Sequence, residues 1–248
     1  MKLDTPYLKL GCLNIEKYRH IDRVIPALIE ADLDVICIQE MPEDAVGRFE
    51  RMLDASAYYV TTWRYAFLGQ VEKGYGLAIL ARRGVAVSCD HFLYHPASEF
   101  DRPYPQNCVL QYLAVEKDGH TYHIGNTHFM WTPDGLPNLD QYRNIRALFN
   151  VIEEKFNAGI ILCGDFNAPR MLMSGERGPI WGMIAERLRD NIPPNVVTTL
   201  DQKFHRARPI YLVVDGIFTS RHYEVYDVEL IDEVSDHQLI AGKIVHVL

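Results

Sequence analysis

The chain has 248 residues, of which 48% are hydrophobic and 23% are charged, and these proportions are typical of a globular protein. They exclude a disordered, collagen-like or coiled-coil chain, and the length is sufficient for a core that folds without a disulfide or a structural metal. The formal net charge of −8 argues against a dedicated binder of long nucleic acid, whose binding face is usually basic.

The apolar runs and the cysteines predict the cellular compartment of the protein. No run approaches the ~18 residues that a transmembrane helix needs, and the first residues contain no signal-like apolar region. Cys12, Cys37 and Cys163 lie in apolar, strand-like runs, which is typical of buried thiols rather than of a disulfide or zinc framework. We expect a cytoplasmic monomer with no stable membrane association. Because no linker or repeat divides the chain, we expect one domain over residues 1–248.

Short apolar segments alternate with turn signals along the first part of the chain. Alternating apolar and polar residues predict a strand over residues 8–14, and a helical period follows over residues 21–29. Residues 35–38 are entirely apolar and predict a buried strand, after which Pro42 is expected to begin a second helix. Residues 77–80 predict a further strand, which is followed by a turn at residues 83–84.

The remainder of the chain is rich in predicted strands. Residues 109–115 and 122–127 are expected to pair as a hairpin across the turn at Asp118-Gly119. Apolar residues recur at helical spacing over two segments, 139–152 and 180–188. Further strands are predicted at residues 160–163, 211–218, 223–230 and 239–247. Many strands with a few interspersed helices indicate a mixed sheet system covered by helices.

Polar side chains follow the most apolar strands. The residues that end these strands are, in chain order, Asn14, Gln39-Glu40, Gly164-Asp165-Phe166-Asn167 and Asp215. Strands of a sheet that end in acids and amides build a polar crevice at that end, where the ligands of α/β folds gather. Oxygen ligands such as Glu40, Asp165 and Asp236 suit a hard cation such as Mg²⁺ better than zinc.

Taken singly, each of these residues also has a purely structural explanation. An acid after a strand, such as Glu40 or Asp215, commonly forms a turn or caps a helix. Asn167 could cap a helix or adopt a left-handed backbone conformation, and His128 could be a hydrogen-bonded core histidine. The structural explanation of the whole set requires several coincidences in one chain order.

Six motifs are spread through the chain between Asn14 and His237. In order they are Asn14, Gln39-Glu40, Asn126-Thr127-His128, Gly164-Asp165-Phe166-Asn167, Asp215 and Ser235-Asp236-His237. This series resembles the endonuclease/exonuclease/phosphatase superfamily, which includes deoxyribonucleases, apurinic endonucleases, sphingomyelinases, inositol polyphosphate 5-phosphatases and a tyrosyl-DNA phosphodiesterase. The resemblance implies an α/β fold, a four-layered α/β/β/α sandwich in which two mixed sheets pack face to face with helices outside.

The resemblance also implies a metal site. Glu40 would be the principal Mg²⁺ ligand, supported by Asn14 and Asp236 directly or through water, and Mn²⁺ is expected to substitute for Mg²⁺. The cation would neutralise charge on the leaving oxygen of a phosphoester.

The resemblance implies catalytic roles for five further residues. His237 would pair with Asp215, whose carboxylate fixes the imidazole tautomer and stabilises its cation. Asp165 would position or deprotonate the attacking water, Asn167 would hold the water or a phosphoryl oxygen, and His128 would donate to another non-bridging oxygen. Whether Asp165 or His237 is the base stays open.

The sequence departs from the pattern of the family before His128. Many relatives carry an arginine there that clamps the phosphate, whereas residues 105–108 are Pro-Gln-Asn-Cys and the nearest arginine is Arg102. Either Arg102 reaches the substrate from its loop, or amides hold the phosphate and Arg102 is a solvated loop residue. Glu72 is a candidate for the acid that supports the histidine in some relatives, with a solvated surface position as the alternative.

Three loops are expected to select the substrate, and a basic cluster either faces a phosphate-bearing substrate or is simply solvated. The loops are residues 94–106, 130–137 and 171–178, and the cluster is Lys203, His205, Arg206 and Arg208. We expect a magnesium-dependent phosphodiesterase that uses an activated water to cleave nucleic acid, short or single-stranded, or nucleotide-derived ends. One alternative is a phosphatase or sphingomyelinase-type hydrolase of a small or lipid phosphoester. A more remote one is an inactive binding module of the same fold.

Overall fold

The computed structural model describes residues 5–65, 72–82, 86–97, 106–133 and 135–247. Its strands in chain order are β1 (Leu8–Asn14), β2 (Val35–Pro42), β3 (Ala55–Tyr65), β4 (Lys73–Arg82), β5 (Ala86–His95), β6 (Cys108–Lys117), β7 (His120–His128), β8 (Ile161–Asp165), β9 (Arg189–Asp190), β10 (Asp215–Thr219), β11 (Tyr223–Ile231) and β12 (Leu239–His246). Its helices are α1 (Ile21–Ala31), α2 (Val46–Leu53), α3 (Leu139–Lys155) and α4 (Pro179–Ala185). No helix in these ranges has the length and apolar character that crossing a membrane would require.

The strands form two mixed six-stranded sheets. The order in the first sheet is β11-β12-β1-β2-β4-β3, and the order in the second is β5-β6-β7-β8-β10-β9. The central pairs β1–β2 and β7–β8 are parallel, and the other neighbours are antiparallel. The parallel pairs therefore bring the last residues of four strands to one side of the molecule.

Alternation along the central strands divides the side chains between two cores. Cys12 and Cys37 of the first sheet lie in one core with Ile124 and Leu162 of the second sheet, which places this core between the sheets. The intervening side chains of β1 and β2, such as Leu13, belong to a separate core with α1 and α2. Burial of alternate side chains on opposite faces is what a strand covered on both sides requires.

The helices cover the outer faces of both sheets. The buried residues Val24 and Leu28 of α1 and Phe49 of α2 pack against the first sheet. Residues of α3 and α4, including Phe149 and Trp181, pack against the second. The result is the four-layered α/β/β/α sandwich that the sequence predicted.

The predicted hairpin is confirmed. β6 and β7 pair antiparallel, and the two turn residues Asp118 and Gly119 have φ values of 52° and 79°. Two consecutive left-handed residues form the turn whose twist matches that of the flanking strands. Asp-Gly is favoured there because glycine adopts a positive φ at little cost.

Among the predicted boundaries that differ from the structure, two have a clear physical reason. Pro42 ends β2 instead of beginning a helix, because it still pairs with Tyr75 of β4, and α2 begins only after a 3-10 turn over Glu43–Ala45. The strand predicted over residues 211–218 begins only at Asp215. The preceding residues accept hydrogen bonds from the chain that follows β8, as in the 2.8 Å bond from the backbone nitrogen of Phe166 to the oxygen of Val214.

Three strands, β3, β5 and the two-residue β9, were not predicted, and the turn predicted at residues 83–84 lies outside the described residues. β5 is an edge strand with mostly exposed side chains, so it lacks the alternation of a half-buried strand. β3 is also an edge strand. Edge strands form through backbone pairing with a neighbour that the local sequence does not encode.

Gly164→Ala should lower the free energy of unfolding by about 1–3 kcal/mol, the usual range for overpacking. An added Cβ would lie 2.2 Å from the carbonyl oxygen of Thr127 in β7. Gly47→Ala is the control, because the only atom near its added Cβ is in the flexible Arg51 side chain, at 3.3 Å. The control should gain about 0.5–1 kcal/mol, since alanine favours a helix over glycine. Urea unfolding measures both, and an unchanged midpoint for Gly164→Ala would contradict the close approach of β7 and β8.

Candidate active site

A β-bulge aims the side chain of Glu40. The register between β2 and β4 shifts between Ile38 and Met41, and Glu40 has a left-handed φ of 57°. Such a bulge redirects a side chain from the regular alternation of the strand. Gly76 of β4 pairs with Met41 of β2. A Cβ on Gly76 would lie 1.9 Å from the carbonyl oxygen of Val60. The bulge and the glycine together place the Glu40 carboxylate in the wall of a cleft.

Asp165 lies at the centre of the candidate site and is only 1% exposed. Its Oδ2 accepts a 3.0 Å hydrogen bond from Asn14 Nδ2, and its Oδ1 accepts a 2.8 Å bond from the backbone nitrogen of Asn167. The Nε2 atoms of His128 and His237 lie 3.5 Å and 3.9 Å from Oδ2. One carboxylate is therefore surrounded by an amide and two imidazoles.

Asn167 adopts a left-handed conformation with a φ of 47°, one of the two structural roles that the sequence allows for it. Its Nδ2 donates a 3.0 Å hydrogen bond to the carbonyl oxygen of Phe129, just after β7. The turn after β8 is thereby tied to the loop after β7. The structural role and a place in the cleft coexist, because Asn167 also lines it.

His237 and Asp215 form a buried pair. His237 Nδ1 lies 2.8 Å and 3.0 Å from the two carboxylate oxygens of Asp215. Burial alone would lower the pKa of His237, but the charge and hydrogen bond of Asp215 raise this pKa well above its ordinary value. Thr199, which the sequence did not indicate, donates a 2.6 Å hydrogen bond from Oγ1 to Asp215 Oδ2. The pair is thus held by a third residue from a separate loop.

Asp236 is buried among other acids. Burial raises the pKa of Asp236 to about 6; the charge of His237 opposes this shift, and the charges of Glu16 and Glu40 increase it. Ser235 Oγ donates a 3.1 Å hydrogen bond to Asp236 Oδ1. Oxygen ligands that repel one another fit a hard divalent cation, which would relieve their repulsion.

Glu16 belongs to the same acidic group, and its only distinguishing mark in the sequence is its position two residues after Asn14. Its carboxylate accepts a 2.8 Å hydrogen bond from Arg206 Nε and lies 3.0 Å from His20 Nε2. Single ligand atoms of Glu16, His20 and Asp236 lie within 4.8 Å of one another, a spacing that could hold a metal ion. Asn14 Oδ1, by contrast, already accepts a 3.0 Å hydrogen bond from the backbone nitrogen of Glu16.

The polar residues come from both sheets, not from one end of a single sheet as the sequence suggested. Asn14 and Glu40 belong to the first sheet, whereas His128, Asp165 and Asp215 belong to the second. The reason is that the two sheets stack with the ends of β1, β2, β7 and β8 on the same side. The crevice is therefore the gap between the ends of the central strands of the two sheets.

The cleft above these residues has a volume of about 540 Å³. Its aromatic lining includes Trp63, Phe129 and Trp131, and Trp131 is 52% exposed. Among the described residues of its wall, Lys17 is the one lysine and there is no arginine. The loop over residues 130–137 thus contributes Met130, Trp131 and Pro133 to the wall of the cleft.

The other predicted substrate contacts lie only partly in the cleft wall, which includes His205 of the basic cluster. Arg102 lies outside the described residues. Gln106 lines the cleft, and its Nε2 donates a 3.2 Å hydrogen bond to the carbonyl oxygen of His128, whereas Glu72 is exposed and is not part of the wall. In the basic cluster, Arg206 binds Glu16 and Lys203 Nζ lies 2.6 Å from Glu233. These two cations are therefore engaged by acids.

Solved structures share this fold. A protein of the endonuclease/exonuclease/phosphatase family from Beutenbergia cavernae superposes with a TM-score of 0.75 at 16% identity, covering 97% of this chain and 72% of its own. The human nocturnin catalytic domain, with a bound sulfate anion, gives 0.71 at 17% identity, covering 98% and 94%. A mannosyl-6-phosphatase from Bacteroides thetaiotaomicron gives 0.66 at 15% identity, covering 96% and 99%. At these identities the likeness shows a common fold.

The sequence itself identifies the family. No curated protein matches the chain significantly. A family model described as endonuclease/exonuclease/phosphatase matches residues 12–237, which contain all six motifs. The chain therefore belongs to the endonuclease/exonuclease/phosphatase family, whose members are hydrolases that act on phosphoesters.

Proposed function

We propose that the protein is a divalent-metal-dependent phosphodiesterase that cleaves its substrate by in-line attack of water. The observation that carries this proposal is the buried Asp165 carboxylate, 3.0 Å from Asn14 Nδ2 and within 4 Å of the imidazoles of His128 and His237. A carboxylate beside two imidazoles can accept the proton of a water while the imidazoles donate to phosphoryl oxygens.

The pairing of His237 with Asp215 supports Asp165 as the base. Asp215 raises the pKa of His237 well above its ordinary value, which favours the protonated, hydrogen-bond-donating form of the imidazole. Its Nδ1 faces Asp215, and its Nε2 is the atom nearer to Asp165. Asp165 is then the group that takes the proton of the water, and His237 and His128 donate to the non-bridging oxygens.

Glu40 and Asp236 would hold the cation, with Asn14 contributing through its carbonyl oxygen or through a water. Mg²⁺ fits this oxygen-only set, and Mn²⁺ is expected to replace it. The cation would neutralise the charge that builds on the leaving oxygen. Asn167 carries a second amide proton besides the one it donates to Phe129, and this proton can hold a phosphoryl oxygen.

The lining of the cleft supports a diester that carries a nucleoside. Lys17 is the one lysine in the described wall and no arginine joins it, whereas the rings of Trp63 and Trp131 form part of the lining. The exposed indole of Trp131 offers a face on which a base can stack, which supports short or single-stranded nucleic acid or nucleotide-derived ends.

A phosphatase of a small phosphoester is the second candidate. It is favoured by the likeness to the mannosyl-6-phosphatase, which shares the fold. The two candidates differ in whether the phosphate carries one ester group or two.

The first test compares two chromogenic substrates. Bis-p-nitrophenyl phosphate should be hydrolysed faster than p-nitrophenyl phosphate, only with Mg²⁺ or Mn²⁺ present, and activity should vanish in chelator because the site offers only oxygen ligands. Circular dichroism should show that chelation leaves the fold intact, since a core of this size is self-sufficient. Full turnover after exhaustive chelation would refute the metal requirement, and a preference for the monoester would favour the phosphatase.

The second test separates the metal ligand from the base. Glu40→Gln should lose activity that excess Mg²⁺ partly restores, because the amide oxygen still binds the cation weakly. Asp165→Asn should lose about 10²–10⁴-fold in kcat and should not respond to Mg²⁺, since a proton acceptor is missing. Rates of bis-p-nitrophenyl phosphate hydrolysis across a Mg²⁺ titration measure both. Equal rescue of the two variants would contradict the assignment of Asp165.

The third test concerns the pKa of His237, measured by NMR titration of the histidine rings in chelator. The ring should stay protonated through neutral pH, and Asp215→Asn should lower its pKa because the neighbouring charge is removed. The pKa of His237 in the folded protein exceeds the unfolded value of about 6.5. The pair with Asp215 therefore stabilises the folded protein fully below that pH, and this contribution is lost as the pH rises through the folded pKa. His123 is the internal control, and an unaltered His237 titration in Asp215→Asn would refute the pairing.

A further inference from the structure

Lys17 occupies a distinctive place in the cleft. Its Nζ lies 3.9 Å from Glu40 Oε2, 4.6 Å from the ring centre of Trp63 and 5.8 Å from that of Tyr75. A distance of 3.9 Å is too long for a hydrogen bond, so the contact with Glu40 is electrostatic. The ring faces attract the ammonium and keep it in the wall of the cleft.

The backbone is bent to put Lys17 there. Glu16 and Lys17 both have left-handed φ values, 46° and 63°, although neither is glycine. Consecutive residues in this conformation persist only where their surroundings hold them, and such strain is concentrated at functional sites. Here the surroundings are the contacts of Glu16 with Arg206 and His20 and those of Lys17 with the cleft. The turn therefore sends an acid to one side and a cation to the other.

We infer that Lys17 binds a non-bridging oxygen of the substrate phosphate, a contact that no arginine in the described wall supplies; this inference rests on the proposed function. A phosphate held by a cation on Glu40 has to lie beside that carboxylate, and the Lys17 ammonium is 3.9 Å from it. An ammonium has three donors, so it can contact a phosphate oxygen and keep its place above Trp63. Lys17 is thus a substrate-binding residue of this cleft.

A competing role is that Lys17 only neutralises Glu40. The two roles differ in the effect that removing Lys17 has on phosphate binding. Removing a mere neutraliser changes the affinity for the metal and leaves the phosphate contacts unchanged. Removing a phosphate ligand weakens substrate binding, while the metal affinity stays the same or increases because a competing cation is gone.

Lys73 provides a matched control. Its Nζ lies 3.9 Å from Asp44 Oδ2 and 4.2 Å from the ring centre of Tyr18, so it has the same kinds of partner as Lys17. It is not part of the described cleft wall. The variants to compare are Lys17→Met, Lys17→Arg and Lys73→Met, each checked for folding by circular dichroism and thermal unfolding.

Three measurements test the inference. Mn²⁺ affinity is measured by calorimetry, binding of an oligothymidylate of about five nucleotides is measured with Ca²⁺ at several salt concentrations, and KM is measured with bis-p-nitrophenyl phosphate. For Lys17→Met we expect about tenfold weaker oligothymidylate binding, about tenfold higher KM and undiminished Mn²⁺ affinity. The slope of log affinity against log salt should decrease in magnitude by about 0.7, the value for one lost single-strand phosphate contact. Lys17→Arg should retain binding within about threefold, and Lys73→Met should match the wild type.

The outcomes separate this inference from the proposed function. An unchanged salt slope in Lys17→Met, a loss of Mn²⁺ binding that accounts for the loss of activity, or no oligothymidylate binding by the wild type would each overturn the inference. A wild-type protein that binds oligothymidylate through Lys17 but hydrolyses neither chromogenic ester would refute the proposed function alone.

Discussion

The structure of the site depends on buried hydrogen bonds that cross from one sheet to the other. Asn14 of the first sheet donates to Asp165 of the second at 3.0 Å, and Gln39 donates to Asn126 in the same way at 2.7 Å. Leaving such a buried polar group unpaired costs about 1–3 kcal/mol of folding free energy. These bonds therefore fix how the central strands of the two sheets face each other. Side chains from both sheets can therefore meet at one carboxylate.

The same region concentrates negative charge and balances it in pairs. Asp215 is matched by His237, Glu16 by Arg206 and Glu40 by Lys17, at distances that range from a direct hydrogen bond to a loose electrostatic contact. The environment of Asp236 is different. Burial raises the pKa of Asp236 to about 6, and its Oδ1 accepts a hydrogen bond from Ser235 Oγ. A divalent cation between Glu40 and Asp236 would complete this balance. The loose contact at Lys17 is the one that a substrate phosphate can join.

The sequence indicated most of the site because its residues stand at the ends of apolar strands and in a recognisable order. Thr199 could not be found in this way, because it lies in a loop whose apolar residues show no regular spacing. It reaches Asp215 only because that loop runs beside His237. Lys17 reads as a surface residue in the sequence. Its role depends on two left-handed residues and on Trp63, which follows it by more than forty positions along the chain.

By itself, the sequence determined the strands with clear alternation, the helices with clear period, the four-layered class through the order of its motifs, and the residue types of the site. The strands, the helices and the strand-ending polar groups are local properties, because they are set by neighbours along the chain, whereas the four-layered class was implied by the resemblance of the motif order to a known family. Only the tertiary structure decided that the site spans two sheets, that β3 and β5 form edges, and that Lys17 faces Glu40. Those features depend on backbone pairing and on contacts between distant segments, which no local pattern records.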